Sequence, residues 1–172
     1  MNLKYPIGPF ERPKSISSEH RMEAIQSIAD FPTKLDSILG LLQKDDWERK
    51  YRPEGWCVRQ LVHHLADSHM NAFIRFKLSI SEINPIIKPY MEDRWADHPD
   101  YSPQLLSASR AIISSVHLRW AFLLENFTET YWSAGYFHPE QEKLVLLDEA
   151  LLLYQWHGNH HLKHIEIALG GA

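Results

Sequence analysis

Residues 58–81 read VRQLVHHLADSHMNAFIRFKLSIS, and their spacing decides the fold. Val58, Leu61, Leu65, Ala72, Phe73, Phe76 and Ile80 recur every three to four residues, the period of a helix with one buried face. Three further segments repeat the pattern. From Ser18, Met22, Ile25, Ile28 and Ala29 open an apolar stripe that Leu35, Ile38, Leu39 and Leu42 carry to about Gln43. Pro32 is expected to kink or restart that helix, because proline removes a backbone bond and crowds the preceding turn. A third helix is predicted from Pro103 to Phe127, with Leu105, Leu106, Ile112, Ile113, Val116, Trp120, Leu123 and Leu124. The last is predicted from Leu147 or Asp148 to Leu169, ended by Gly170 and Gly171. Four amphipathic helices of about 20 residues each imply an all-α four-helix bundle.

The links are irregular. Residues 1–17, with Pro6, Gly8 and Pro13, read as an arm over the bundle, and Asp45 to Gly55 as a loop. Residues 84–103 hold Pro85, Pro89, Pro99 and Pro103 and form a long irregular crossover between helices 2 and 3. A connection of that length usually serves function, and it is a candidate lid in which Trp95 would wall a pocket. Ser133 to Lys143 is a punctuated stretch, and Leu144 to Leu146 is a candidate strand. No internal repeat or interior boundary divides residues 1–172, so one domain is expected.

Composition bounds the function. The chain has 172 residues, 44% hydrophobic and 23% charged, which is ordinary globular usage. Lys and Arg number 18 against 22 Asp and Glu, a net charge of −4, and this argues against nucleic-acid binding. No stretch approaches the roughly 20 apolar residues of a membrane span; Asp148 and Glu149 interrupt the longest run, Leu144 to Trp156. Residues 1–10 show no export pattern. The lone Cys57 excludes an internal disulfide and suits a reducing cytoplasm. A Gly-rich phosphate loop, a Gly-x-Ser-x-Gly elbow and a Cys-x-x-Cys pair are all missing.

Histidine is the anomaly, with 11 in the chain. The last helix carries Trp156-His157-Gly158-Asn159-His160-His161-Leu162-Lys163-His164. Residues four apart share a helix face, so His157 pairs with His161 and His160 with His164, a spacing that lets two imidazoles reach one cation. With Tyr154, Ile165, Ala168 and Leu169 facing the core, helical rotation favours His157 and His161 as the inward pair and sets His160 and His164 toward the polar side. Gly158 within a helix implies a packing or functional reason. A bundle metal site takes further ligands from a facing helix. His64 shares a stripe with Leu61, Ser68, Asn71 and Arg75, whereas His63 and His69 lie off it. Three neutral imidazoles with an open position suit catalytic zinc. Asp67 is a candidate acceptor that would orient an imidazole, or a solvated carboxylate. Arg75 is a candidate for an anionic substrate group, or a surface ion pair. His20, His98, His117 and His138 read as packed or solvated residues without a site role.

These residues also carry a family resemblance. Tyr5-Pro6-Ile7-Gly8, Tyr51-Arg52-Pro53-Glu54-Gly55-Trp56-Cys57-Val58-Arg59-Gln60, His63-His64-Leu65-Ala66-Asp67-Ser68-His69-Met70-Asn71, Ile87-Lys88-Pro89-Tyr90, His138-Pro139-Glu140 and Tyr154-Gln155-Trp156-His157-Gly158-Asn159-His160-His161 resemble the YfiT-like proteins of the DinB-type superfamily of metal-binding four-helix bundles. The likeness covers nearly the whole chain in order. It implies a three-histidine site on His64, His157 and His161, holding one zinc or nickel ion per subunit, in a homodimer. Members are described as metal-dependent hydrolases, and some resemble S-transferases that couple bacillithiol, a low-molecular-weight thiol, to electrophiles. Cys57 departs from the threonine or serine usual at its position. A thiol caps a helix less well than a hydroxyl, so slight fraying of the second helix is expected.

Two classes of function follow. In the first, a small-molecule substrate is attacked by a nucleophile that the cation ionises: zinc lowers the pKa of water from 15.7 to about 7 and deprotonates a thiol outright. Gly158 stands where an HExxH protease carries glutamate, which disfavours peptide hydrolysis and tilts the reading toward thiol activation. In the second, the protein is a non-enzymatic binder, a dimeric bundle whose metal is structural. A structural zinc is closed by four protein ligands, and His160 or His164 would be the fourth.

Overall fold

Ser17 starts the first helix. Its Oγ accepts from the His20 N–H at 3.2 Å while its own N–H donates to His20 Nδ1 at 3.2 Å, so two orphan amides are satisfied reciprocally. The computed structural model describes residues 2–171. Its first helix, α1, spans Ser18–Leu39 and runs through Pro32 without restarting, ending at Leu39 short of the expected Gln43. The second, α2, spans Val58–Ser81 as predicted. At its start Gln60 Oε1 accepts from the Cys57 N–H at 3.1 Å, the Cys57 thiol donates to Glu48 at 3.6 Å, and Cys57 and Val58 are buried.

The crossover folds a single turn, α3 (Glu92–Trp95). The start of the crossover is pinned to a later segment of the chain: Ile87 N–H donates to the Phe137 carbonyl at 3.1 Å, and Phe137 N–H to the Pro85 carbonyl at 2.9 Å. The third long helix begins as a 3₁₀ turn at Pro103–Leu105 and continues as α4 (Leu106–Glu125). Another single turn, α5 (Glu129–Trp132), leads to a hairpin of β1 (Gly135–His138) and β2 (Lys143–Leu146), paired antiparallel with Tyr136 opposite Val145. The strand expected at Leu144–Leu146 thus has a partner that the sequence reading left as loop. The last helix, α6, spans Leu147–Ala168.

The four long helices form a closed ring in the order α1, α4, α2, α6, each packed on two neighbours. Two apolar clusters fill it. One gathers Ile28, Ala72, Phe76, Trp120, Leu124, Leu151 and Tyr154; the other gathers Phe31, Leu35, Leu61, Leu65, Ile113 and Ile165. Burying side chains of this size contributes about 1.5–3 kcal/mol each. Between the two clusters lies a layer of histidines.

Candidate metal centre

α2 and α6 are neighbours in the ring, and they bring together the three residues that sequence reasoning preferred. His64 Nε2 lies 3.2 Å from His157 Nε2. The ring centres of His64 and His161 are 4.9 Å apart, and those of His157 and His161 4.5 Å. One ligand atom from each of the three falls within 4.8 Å of the other two. His64 is buried beneath Trp56, whose ring centre is 4.7 Å away.

Burial disfavours the charged form of each ring. It pushes His64 down to about 3, helped by His160, and holds His157 and His161 well below the ordinary histidine range, each reinforced by its neighbours. Neutral imidazoles with bare nitrogens aimed at a common point are what a divalent cation requires. His64 Nδ1 is buried without a hydrogen-bond partner, so no internal acceptor holds that nitrogen. The donor set fits a cation of the zinc or nickel class, which imidazole suits.

Two cavities open onto His157. One, of about 310 Å³, is lined by Tyr51, Trp56, Glu92, His64 and His161 among others. The second, of about 270 Å³, is walled by Ser68, Arg75, Glu92, Tyr136, His138 and Tyr154. Glu92 is common to both. Although the residue as a whole is exposed, partial desolvation in the cleft raises its carboxyl above the ordinary range, with Asp93 adding to the effect. Sequence reasoning missed Glu92, because nothing in a proline-rich crossover marks which carboxylate the folded segment delivers to the cleft.

Several expectations need correction. His160 and His164 do not face the polar side: both are buried. Part of the cover, Tyr51 and the arm, comes from outside the bundle helices and is invisible to a helical rotation. Trp156 stacks on His160 with ring centres 4.5 Å apart, Tyr51 stacks on His164 at 3.8 Å, and His164 Nε2 meets the Leu3 carbonyl of the arm at 3.1 Å. His160, His161 and His164 make a second group with ligand atoms within 4.8 Å, sharing His161 with the first. His69, although off the His64 stripe, is buried, and its Nε2 lies 3.1 Å from His157 Nδ1. His117 is also fully buried, with Nε2 2.7 Å from His69 Nδ1. His63 is bonded to Ser109 and to the Ser102 carbonyl, away from the trio.

Asp67 accepts from the Tyr101 hydroxyl at 2.8 Å and makes no hydrogen bond to His64. Arg75 donates to the Tyr154 hydroxyl at 3.4 Å, lies over the Tyr136 ring, and forms no ion pair among the described residues. Arg75 lines the second cavity together with Glu92, whose carboxyl it acts on electrostatically. Trp95 walls a different cavity, with Tyr90, Met91 and His98. No helix among the described residues is long and apolar enough to cross a membrane.

Comparison with known proteins gives the family and the fold. A family model described as the DinB superfamily matches residues 28–165. A Bacillus subtilis protein named "Putative metal-dependent hydrolase YfiT" is 42% identical over 165 residues, 96% of this chain and 93% of that protein. A Halalkalibacterium halodurans protein also named "Putative metal-dependent hydrolase" is 37% identical over 169 residues, 98% of each chain. A solved structure of YfiT from Bacillus subtilis, described as a probable metal-dependent hydrolase with an unusual four-helix bundle topology, superposes over 100% of both chains with a TM-score of 0.93 and 39% identity. With its four-helix ring, its histidine centre and these likenesses over nearly its full length, the chain belongs to the DinB superfamily, in the company of YfiT.

Proposed function

We propose that this protein is a divalent-metal-dependent enzyme in which His64, His157 and His161 hold one zinc or nickel ion per subunit and a small-molecule thiol is activated for transfer to an electrophile. The observation that carries the reading is the trio itself: two buried imidazoles and the half-buried His157, kept neutral by desolvation, with ligand atoms within 4.8 Å at the meeting of two cavities. A divalent cation held there supplies Lewis acidity, which ionises a thiol or a water molecule near neutral pH. Two cavities that share His157 supply room for two small molecules, as transfer requires. Arg75, flanked by Tyr136 and Tyr154, binds an anionic group of one of them. Trp56, packed on His64, keeps water from that side of the ring.

A second reading, hydrolysis, is supported by Glu92. Its raised carboxyl at the junction of both cavities takes up a proton from the attacking water and returns it to the leaving group. The homodimer implied by the family resemblance, and the cytoplasmic setting that the lone Cys57 suits, belong to the same proposal. An apolar strip on α4, where Leu118 and Phe122 are 75% and 69% exposed beside Phe73 of α2, supports the dimer.

The test is turnover by the metal-reconstituted protein, with a low-molecular-weight thiol plus monochlorobimane in one assay and ester and amide substrates in another. The expected result is metal-dependent conjugation of the thiol. Turnover of the esters or amides alone would put hydrolysis first, and no metal-dependent turnover of either kind would favour the non-enzymatic binder.

A further inference from the structure

We infer that His69 and His117 are positioning residues: with His157 they form an imidazole chain, anchored on a carbonyl that Pro32 leaves free, which fixes the tautomer of His157 and aims its Nε2 lone pair into the centre. The inference rests on the metal-centre reading above only for what that lone pair then holds.

The chain takes one link from each helix, in the order of the ring. In α1, the Ile28 carbonyl would ordinarily accept from the N–H of residue 32, four positions on. Residue 32 is proline and has no N–H. The carbonyl turns to α4 instead, where His117 Nδ1 lies 2.6 Å away. A carbonyl only accepts, so His117 Nδ1 carries the hydrogen. A neutral imidazole has one ring hydrogen, so His117 Nε2 is bare and must accept from His69 Nδ1 of α2, at 2.7 Å. His69 Nε2 is then bare and accepts from His157 Nδ1 of α6, at 3.1 Å. What remains on His157 is a bare Nε2, the atom that faces His64 Nε2 at 3.2 Å.

The direction cannot run the other way, because its terminus has no hydrogen to give. Nor is the chain a proton conduit, since it ends on a backbone carbonyl between the two apolar clusters. Its surroundings keep it neutral: the Phe31 ring lies 4.9 Å from His117, nearly parallel, and 5.1 Å from His69, and among the described residues neither ring bonds to a carboxylate. A shorter chain on the other side obeys the same logic. The Leu3 carbonyl accepts from His164 Nε2 at 3.1 Å, which leaves His164 Nδ1 to accept from His161 Nδ1 at 3.3 Å and His161 Nε2 bare. Partners of this kind orient metal-ligating histidines, and their loss typically costs 10–100-fold in metal affinity.

Two measurements test the inference. The first is long-range ¹H–¹⁵N correlation NMR of the imidazoles in the metal-free, full-length protein at neutral pH. The expected result is the Nδ1–H tautomer for His117, His69 and His157; an Nε2–H tautomer at His69 or His157 overturns the chain. The second is zinc affinity by chelator competition. His69→Leu removes both contacts and is expected to weaken binding 10–100-fold. His69→Gln, whose amide can accept from His157 and donate to His117, is expected to stay within about threefold of the parent. Equal affinity of the Leu variant and the parent, or equal loss in the Leu and Gln variants, overturns the positioning role. If the Leu variant does not fold, the tautomers and the Gln variant still decide. The tautomer of His157 judges the chain alone, and zinc binding by the unmodified protein judges the metal reading.

Discussion

At residue 158 a Cβ would lie 2.9 Å from Phe31 Cδ2 and 3.0 Å from Cε2. Glycine there lets α6 approach α1 closely enough for Phe31 to cover His69 and His117. The glycine that sequence reasoning flagged therefore has a packing reason, and a side chain at that position faces α1. Alanine has two opposed effects: better helix propensity contributes about 1 kcal/mol, while displacing a ring that is 3% exposed costs about 1–3 kcal/mol. The clash outweighs the gain in propensity, so Gly158→Ala is expected to lower stability by about 1 kcal/mol, read as a reduced urea midpoint in the metal-free protein. An unchanged or raised midpoint would show that Phe31 moves at no cost and is no fixed support for the histidine layer.

Between elements, the histidine layer couples stability to pH. Burial pushes His117 down to about 4 and His64 down to about 3, against an ordinary value near 6.5. In the unfolded chain these rings take up protons as pH falls through 6.5, whereas in the folded bundle they do not. The unfolded state then binds more protons, so stability is fully present above pH 6.5 and is lost as pH falls toward 4. For His117 alone the loss by pH 5 is roughly 2 kcal/mol. Urea titrations of the metal-free protein at pH 7.5 and pH 5 are expected to show a clear drop in midpoint at the lower pH. A flat profile would mean that the layer admits charge and water.

The four helices were legible because their apolar residues keep a 3.6-residue period, and α2 was readable to the residue from Val58 to Ser81. The trio was legible for a related reason. His157 and His161 lie one turn apart on the face that Tyr154 and Ile165 define, and His64 lies on an inward stripe. What the sequence could not show depends on which helix neighbours which. His69 and His117 looked unremarkable because their partners sit 88 and 48 positions away along the chain, on α6 and between α2 and α4. Pro32 looked like a break because the gain from its missing N–H appears only once α4 lies alongside. His160 and His164 were placed toward solvent because Tyr51 and the arm, which cover them, belong to no helix of the bundle.

Over the whole molecule, arm, crossover and bundle converge on one place. The arm supplies the Leu3 carbonyl behind His164, the crossover supplies Glu92 between the cavities, and the bundle supplies three neutral imidazoles. Those features belong to an open centre only if the cation has protein ligands on one side and exchangeable ones on the other. X-ray absorption at the zinc edge of the reconstituted, full-length protein measures this directly. The expected result is one zinc per chain with three imidazole nitrogens and a remaining light donor that exchanges on adding a thiol, sulfur then appearing in the shell. A shell closed by four protein side chains and unchanged by thiol would contradict it.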